Sequence, residues 1–392
     1  VAKTIKQYDV VISGGGMAGA TLAWALLKAM PSLNIAIIEQ QSGTVSSASF
    51  DSRSVALAAA SAGLLRQWGL WSALDQHACA IKHIAVSDRG HFGKTHLSAN
   101  EYQQMALGYV LEVDYLGAVL ADKLAGCAAI TRIAPNHIKQ IIPQQQQQHL
   151  ILHDDTELQA KLLVIAEGGA APSRALAGFT LQEQPYGQHA IIANLALAQP
   201  HRHTAFERFT EHGPIALLPL NQQRYSLVYT TAADNVNALM QLSDTDFLNH
   251  IQQAFGYRAG VFSSVGRRVS YPLSLKRSGE IVRHRVALLG NSLHNVHPIA
   301  GQGFNLALRD IAQMVQQVLT AQQIGDYAML RAYQAARQQD INVVTTATDA
   351  LVRLFSNRSR TVALARNSGL LAMTLCDELK RPLAEQAMGL RS

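Results

Sequence analysis

The turn Gly14-Gly15-Gly16-Met17-Ala18-Gly19 stands between a β-branched run, Tyr8-Asp9-Val10-Val11-Ile12-Ser13, and an Ala/Leu-rich segment from Ala20 to Met30 that Pro31 closes. A short continuous apolar run is the pattern of a strand buried on both faces in a parallel sheet. A second such run, Asn34-Ile35-Ala36-Ile37-Ile38-Glu39, follows, so residues 8–39 predict strand, glycine turn, helix and strand, a βαβ unit. In Gly14-x-Gly16-x-x-Gly19 the first glycine permits the tight turn. The second lets backbone approach a pyrophosphate, and the third lets the helix lie close on the strand. The helix N-terminus adds amide donors and a positive dipole end, which makes Gly14, Gly16, Met17, Ala18 and Gly19 candidate dinucleotide contacts. Glu39 closes the second strand, where a carboxylate accepts hydrogen bonds from ribose hydroxyls and repels a 2′-phosphate. The competing reading is a glycine turn that serves only helix–sheet packing.

Composition narrows the class. The chain has 392 residues, 48% hydrophobic and 15% charged, enough for a large core and two interleaved domains, which excludes global disorder. Lys+Arg exceed Asp+Glu by 33 − 27 = 6, with no run of five basic residues, too dilute a charge for a nucleic-acid partner. Cys79, Cys127 and Cys376 lie far apart without a CxxC pair, which excludes a disulfide scaffold and a cysteine zinc site. No stretch reaches the roughly 18 apolar residues of a spanning helix. Val10-Val11-Ile12 runs into glycines, unlike a secretory signal. The expectation is a cytoplasmic chain that meets a membrane only from its surface.

Along the chain, the pattern predicts a helix over Ser54–Trp68, strands over 81–98 with a turn at Asp88-Arg89-Gly90, and a helix over Leu111–Leu124. Strands follow over Ile130–Ile165, with the glutamine run Gln144–Gln148 as a solvated hairpin tip. Further strands are expected at Ala190–Ala196, Ser226–Thr231 and Arg285–Gly290, and helices at Asp244–Phe255, from Gly303, and from Tyr327 onward. Buried strands at both ends flank a β-rich middle. This predicts a discontinuous nucleotide-binding domain (1–70, 104–180 and 281–345), a substrate domain (71–103 and 181–280) and a helical segment (346–392). No GxSxG elbow supports hydrolase chemistry. His294 and His297 lack a third ligand of recognisable spacing, and His201 and His203, flanking Arg202, read as solvated, so no metal is expected. Phe206, Phe209 and Phe304 either line a substrate cavity or fill core.

The βαβ unit alone does not separate NAD from FAD. The distinction comes from Ala287-Leu288-Leu289-Gly290-Asn291-Ser292 and His297-Pro298-Ile299-Ala300-Gly301-Gln302-Gly303-Phe304-Asn305-Leu306. A second strand ends in Gly-Asn, and a second glycine loop opens a second helix. That suits a long flavin, with the second helix dipole stabilising negative charge on the reduced ring.

These residues resemble the flavin segment of the single-component aromatic hydroxylases and, more narrowly, of the ubiquinone-biosynthesis hydroxylases. The similarity extends over nearly the whole chain and includes Phe50–Leu57, Val86–His91 and Ala205–Thr210. It implies an α/β fold: a Rossmann-like FAD-binding domain of the aromatic-hydroxylase type, with an inserted β-rich substrate domain and C-terminal helices. It also implies that Gly14, Gly16, Gly19 and Glu39 hold the ADP half of FAD, and that Arg53 lies near the ribityl–phosphate region. Asn291, Pro298, Gly301, Gly303, Phe304 and Asn305 would surround the flavin half, with His297 and Pro298 beside the chemistry. Two positions depart from the family: Gly290-Asn291 stands for Gly-Asp, and Ala166-Glu167-Gly168 for an Asp-Gly pair, so Glu167 reaches the nucleotide region with one methylene more.

The activity implied is FAD-dependent hydroxylation of a polyprenylated phenol ring in ubiquinone biosynthesis. NAD(P)H acts as a transient reductant, O2 forms a flavin C4a-hydroperoxide, and its distal oxygen attacks the ring. The absence of a second GxGxxG equally fits reduction by a protein partner. A sister hydroxylase acting at another ring carbon, a flavin oxidoreductase of prenyl lipids without oxygen insertion, and a flavin-binding assembly subunit are the alternatives. Implied partners are the prenylated substrate, O2, a ubiquinone-biosynthesis complex and a membrane surface. For the last, Arg353, Arg358, Arg360 and Arg366 recur among Leu351, Leu354, Phe355, Leu364, Leu370, Leu371 and Met373 as in an interfacial helix. The competing reading packs that stripe on the flavin domain.

Overall fold

The computed structural model describes residues 5–41, 53–296, 301–355, 367–368 and 377–390. Its first sheet grows from the strand Lys6–Ser13, whose Val10, Val11 and Ile12 are fully buried. Ile35–Ile38 pairs parallel on one side and Glu157–Ile165 on the other. Val286–Leu288 and Ile130–Ile133 extend the parallel order outward. The helix Met17–Ala29 crosses between the first two strands as the glycine turn requires.

Two helices begin later than the periodicity predicts. Ser54–Ala58 is a strand, and the helix runs over Ala59–Gln67. Likewise Gly108–Glu112 is a strand before the helix Val113–Ala125. The two strands pair antiparallel with each other, and Cys79–Ile81 completes a three-stranded sheet. Cross-strand hydrogen bonds, available only in the folded chain, override local helix preference there.

The glutamine run forms a hairpin tip exposed at Gln145 and Gln146, as expected, but its last residue is not solvated. It connects the strands Ile138–Pro143 and Gln148–Leu152. Gln148 is buried and donates from Nε2 to the carbonyl of His284 at 2.6 Å. His284 in turn donates to the Gln144 carbonyl at 2.8 Å. The hairpin is thereby latched onto the segment that enters Val286–Leu288.

A second sheet holds nine strands, among them His83–Asp88, Lys94–Ser98, Leu181–Leu197, Thr204–Thr210, Gly213–Leu220, Arg224–Ala232 and Val269–Ser278. One face packs Ile191, Ile215, Leu217 and Leu227 against Phe247, Ile251 and Phe255 of the helix Asp244–Phe255. Ser243 caps that helix by accepting from Asp246 N at 3.1 Å. Phe206 lies on this face, edge-on to Phe255 at 5.5 Å, so it fills core. The opposite face turns toward the three-stranded sheet, where Ala205 and Leu220 meet Ile81 and Val110.

The long helix Tyr327–Phe355 and the helix Asp377–Ala387 close the described fold. Ala384 and Met388 pack on Leu97, Ala99 and Leu107. Among the described residues, no helix is long and apolar enough to cross a membrane. His297 and Pro298 lie outside the described residues, as do Arg358, Arg360, Arg366, Leu364, Leu370, Leu371 and Met373 of the proposed interfacial stripe.

Candidate FAD site

Each glycine of the first turn meets a different constraint. Gly14 adopts φ +104°, and a Cβ there would stand 2.6 Å from the Ala166 carbonyl oxygen. A Cβ on Gly19 would lie 1.9 Å from the Gly14 carbonyl oxygen, so the helix rests directly on the strand end. A Cβ on Gly16 would meet no atom of the described residues within 4 Å. Gly16 is the helix N-cap and no side chain caps it, which leaves the first-turn amides of Met17, Ala18 and Gly19 for a ligand. Glu39 faces this loop: it accepts from Gly15 N at 2.6 Å and from Gln41 N at 3.0 Å.

The second loop is brought to the first at Gly290. This residue is buried with φ +60°, and a Cβ on it would lie 3.5 Å from Ala18 and 3.4 Å from Ala307. Two helices that are remote in sequence therefore meet on one glycine. Asn291, the next residue, is exposed. Gly301 takes φ +61° as the N-cap of Gln302–Thr320, again without a side-chain cap. A Cβ on Gly301 would strike Ala56 at 2.7 Å, whereas one on Gly303 would meet no atom of the described residues within 4 Å.

The remaining expected residues differ in what their side chains do. Asn305 donates to the carbonyls of Ala56 at 2.8 Å and Gly301 at 2.7 Å and accepts from Ala58 N at 2.8 Å. It stitches the strand Ser54–Ala58 to the glycine loop, and both its N–H donors are engaged there. Phe304 is partly buried against the main core. Arg53 is exposed, and its carbonyl accepts from Val113 N at 2.8 Å. Glu167 accepts from the hydroxyls of Ser13 and Ser173 and from Ser173 N at 3.0 Å, joining the first strand's end to the short helix Pro172–Leu176.

Two organisers of the site escape the motif reading. Arg174 is buried and donates to the carbonyls of Ser292 at 2.9 Å and Gly169 at 3.2 Å, fixing the turn after Gly290. Burial lowers its pKa, while the Glu167 carboxylate opposes that shift. Asp310, fully buried, accepts from Gly290 N at 3.0 Å, His294 Nε2 at 2.8 Å and Arg337 Nε at 2.7 Å. Arg337 and Arg309 share Asp340, each at 2.6 Å. The available signal was an acid on the apolar face Leu306-Ala307-Asp310-Ile311-Met314, where charge is tolerated only with partners.

His201 and His203 are not solvated. Both are half-buried, and their ring nitrogens lie 3.9 and 3.8 Å from the buried Sγ of Cys79. The three ligand atoms fall within 4.8 Å of one another. Backbone groups occupy three of the four ring nitrogens as well. His201 Nδ1 accepts from His203 N at 3.0 Å, so Nε2 carries the hydrogen that it donates to the Leu220 carbonyl at 2.8 Å. His203 Nδ1 donates to the Ala80 carbonyl at 3.0 Å. Burial pushes the Cys79 thiol up to about 11, so in this state it keeps its proton near neutral pH.

Two uncapped helix N-termini, open space at Gly16 and Gly303, and a carboxylate at the end of the second strand fit an extended dinucleotide with a second, distant ring system: FAD. The sequence pattern of the family described as "FAD binding domain" matches residues 7–348. Ubiquinone hydroxylase UbiL of Rhodospirillum rubrum is 36% identical over 389 residues, covering 98% of this chain and 90% of UbiL. The mitochondrial ubiquinone biosynthesis monooxygenase COQ6 of Mus musculus is 28% identical over 439 residues, covering 98% and 91% of the two chains. Among solved structures, Pseudomonas aeruginosa PqsL in complex with 2-aminobenzoylacetate superposes with a TM-score of 0.78 at 21% identity, covering 92% of this chain and 100% of that one, which shows the shared fold. The chain is an FAD-dependent monooxygenase belonging to the ubiquinone-biosynthesis hydroxylase family.

Proposed function

We propose that the chain hydroxylates the aromatic ring of a polyprenylated phenol, with 2-octaprenyl-6-methoxyphenol as its substrate. The meeting of two helices with uncapped N-termini at Gly290, which lies against Ala18 in the first turn of one and Ala307 in the second turn of the other, carries this reading, because it supports a nucleotide half-site and a flavin half-site side by side. The stretches Ser87–His91 and Phe206–Pro214, which resemble that particular hydroxylase, favour this member of the family.

In this reading Gly14, Gly16, Met17, Ala18, Gly19 and Glu39 hold the ADP half. Asn291, Pro298, Gly301, Gly303 and Phe304 surround the ring, with Arg53 near the ribityl–phosphate region, and Asn305, Glu167 and Arg174 set the shape of the loops. The flavin domain comprises 1–70, 104–180 and 281–345, the substrate domain 71–103 and 181–280, and 346–392 form the C-terminal segment. When bound, FAD supplies the electrons and the activated oxygen. The protein's share is orientation, a dry cavity and fixed dipoles: the N-terminus of Gln302–Thr320 favours negative charge where the reduced ring develops it. NAD(P)H, or a protein donor, provides the reducing equivalents.

Burying all of an octaprenyl tail, about 40 carbons at about 0.8 kcal/mol each, would be worth roughly 30 kcal/mol. That exceeds the roughly 18–21 kcal/mol at which affinity saturates. The ring and the first prenyl units therefore bind, while the rest of the tail stays in lipid or on a partner of a biosynthetic complex. The arginines at 353, 358, 360 and 366 offer the membrane contact, tested by co-sedimentation with anionic liposomes against a triple Arg→Glu variant at 358, 360 and 366.

The deciding experiment supplies holoenzyme with reductant, a short-chain prenylated methoxyphenol and isotopically labelled O2. One labelled oxygen on the ring is expected. Turnover without label would replace this reading by a non-oxygenating flavin oxidoreductase, and the position of a new hydroxyl separates the sister hydroxylases.

A further inference from the structure

A single transverse row crosses the nine-stranded sheet: Val86, Glu207, Ala216, Val228 and Ile192 are successive cross-strand partners. Partners in register share a face, so Glu207 points away from the helix Asp244–Phe255 and toward the flavin domain. On that side Ala205, two residues back along the same strand, meets Val110. Val110 pairs with Ala56, whose carbonyl Asn305 holds at the flavin loop. The long helix Tyr327–Phe355 also reaches the strand Gly213–Leu220.

The two faces of this sheet differ in packing. Toward the helix, Ile191, Ile215, Leu217 and Leu227 are fully buried. Toward the flavin domain, Ile84, Val86, Leu218, Val228 and Ile192 remain half-exposed in the interior of the sheet. Ile84 and Leu218 pack toward Ile81 and Val110, while Val86, Val228 and Ile192 continue the apolar surface, with Glu207 the carboxyl in its midst. Its Oε1 is shielded from solvent and has no hydrogen-bond partner among the described residues. A buried carboxyl oxygen without a donor is costly unless something else supplies one.

We propose that Glu207 is a catalytic residue that receives the phenolic hydroxyl of the ring substrate, an inference that rests on the hydroxylase reading above. The phenol O–H bond breaks, its proton passes to the ionised Glu207 carboxylate, and the electron pair stays on the phenolic oxygen, enriching the ring carbons that accept oxygen. Burial pushes Glu207 up to about 8, so the ionised form that takes the proton grows as pH rises toward that value, and a carboxylate of that basicity is close enough to an ordinary phenol near 10 to share its proton. The other charged groups turned to this side are engaged elsewhere. Asp88 accepts from Asn367 Nδ2 at 2.8 Å and lies 3.2 Å from His91. Arg224 pairs with Glu112 at 3.0 Å. On the long helix, Asp349 accepts from Tyr186, and Arg337 and Asp340 belong to the Asp310 cluster.

The test compares wild-type holoenzyme with Glu207→Gln on a short-chain prenylated 2-methoxyphenol, reading ring hydroxylation, KM and flavin content. A glutamine keeps the shape and can still accept the hydroxyl but cannot take its proton. The expected result is unchanged flavin content, KM within about threefold, and kcat lowered about a hundredfold, the scale of a lost general base. A kcat within about threefold of wild type would overturn the assignment. Should the variant not hold flavin, the ultraviolet phenolate band of the substrate bound to wild type decides. Titration well below a free phenol supports Glu207, and titration as the free phenol overturns it. Failure of wild type to hydroxylate any such phenol would instead strike the underlying function.

Discussion

Gly290 donates its backbone N–H to the buried carboxylate of Asp310 across 3.0 Å, tying the turn at the flavin half-site to the middle of the helix Gln302–Thr320. Arg337 and His294 complete that carboxylate's shell. Asp310→Ala therefore removes one of Arg337's two acidic partners in the interior and frees the Gly290 turn. The expected loss is about 3–5 kcal/mol of unfolding free energy, read by urea denaturation, with weaker FAD retention on dialysis.

The same carboxylate sets an acid limit. Burial drives Asp310 upward, but His294 and Arg337 outweigh it and hold the group at about 2, below its ordinary 3.8. A depressed carboxyl contributes stability above the unfolded value and loses it as pH falls through the folded one. Stability of the wild type should fall steeply between pH 4 and 2, and Asp310→Asn should flatten that limb. Thermal melts across this range measure both slopes.

Gly16 and Gly19 should separate cofactor from fold. The Cβ of Gly16→Trp meets no atom of the described residues within 4 Å, so circular dichroism should stay near wild type while yellow flavin is lost. Gly19→Ala collides with the Gly14 carbonyl instead and should cost about 1–3 kcal/mol through overpacking. A Gly16→Trp protein with full flavin content would remove the first glycine loop from the cofactor site.

Glu39→Ala should weaken FAD by about 1–3 kcal/mol, the scale of a charge-assisted hydrogen bond. Because Glu39 also accepts from Gly15 N, Glu39→Gln should recover part of this by keeping an acceptor at the loop. Fluorescence titration of apoprotein with FAD orders the three proteins. Equal affinities would reduce Glu39 to a residue that ends a strand.

Glu207 makes the opposite contribution to pH stability from Asp310. Its folded value is raised from 4.5 to about 8, so the native state keeps a proton that the unfolded chain releases between those values. Stability falls as pH rises through that window. The melting temperature of Glu207→Gln relative to wild type should therefore climb from pH 5 to pH 9.

What the sequence made legible is what local pattern controls. The strand–glycine–helix–strand unit is contiguous, and Gly14, Gly19 and Glu39 stand where their spacing places them. The helix Asp244–Phe255 likewise agrees with its periodicity. The illegible parts depend on partners far along the chain. Ser54–Ala58 is a strand because residues 108–112 lie beside it. Gln148 is buried because His284 offers a carbonyl. Asn305 belongs to the glycine loop in sequence, but only the fold reveals that Ala56 and Ala58 engage its amide. The gathering of His201, His203 and Cys79 joins positions more than a hundred residues apart in the chain, beyond any spacing rule.

The nine-stranded sheet works as a panel with one fixed and one exchangeable side. Its strands are anchored from behind by Phe247, Ile251 and Phe255, so their backbones hold position without help from the side chains in front. Residues such as Val86, Val228 and Ile192, only partly buried, should therefore tolerate exchange of their apolar groups at lower cost than the fully buried Ile215 and Leu227. The front of the sheet can thus vary in size around a fixed backbone, and the same backbone carries Glu207 in the row between Val86 and Ala216.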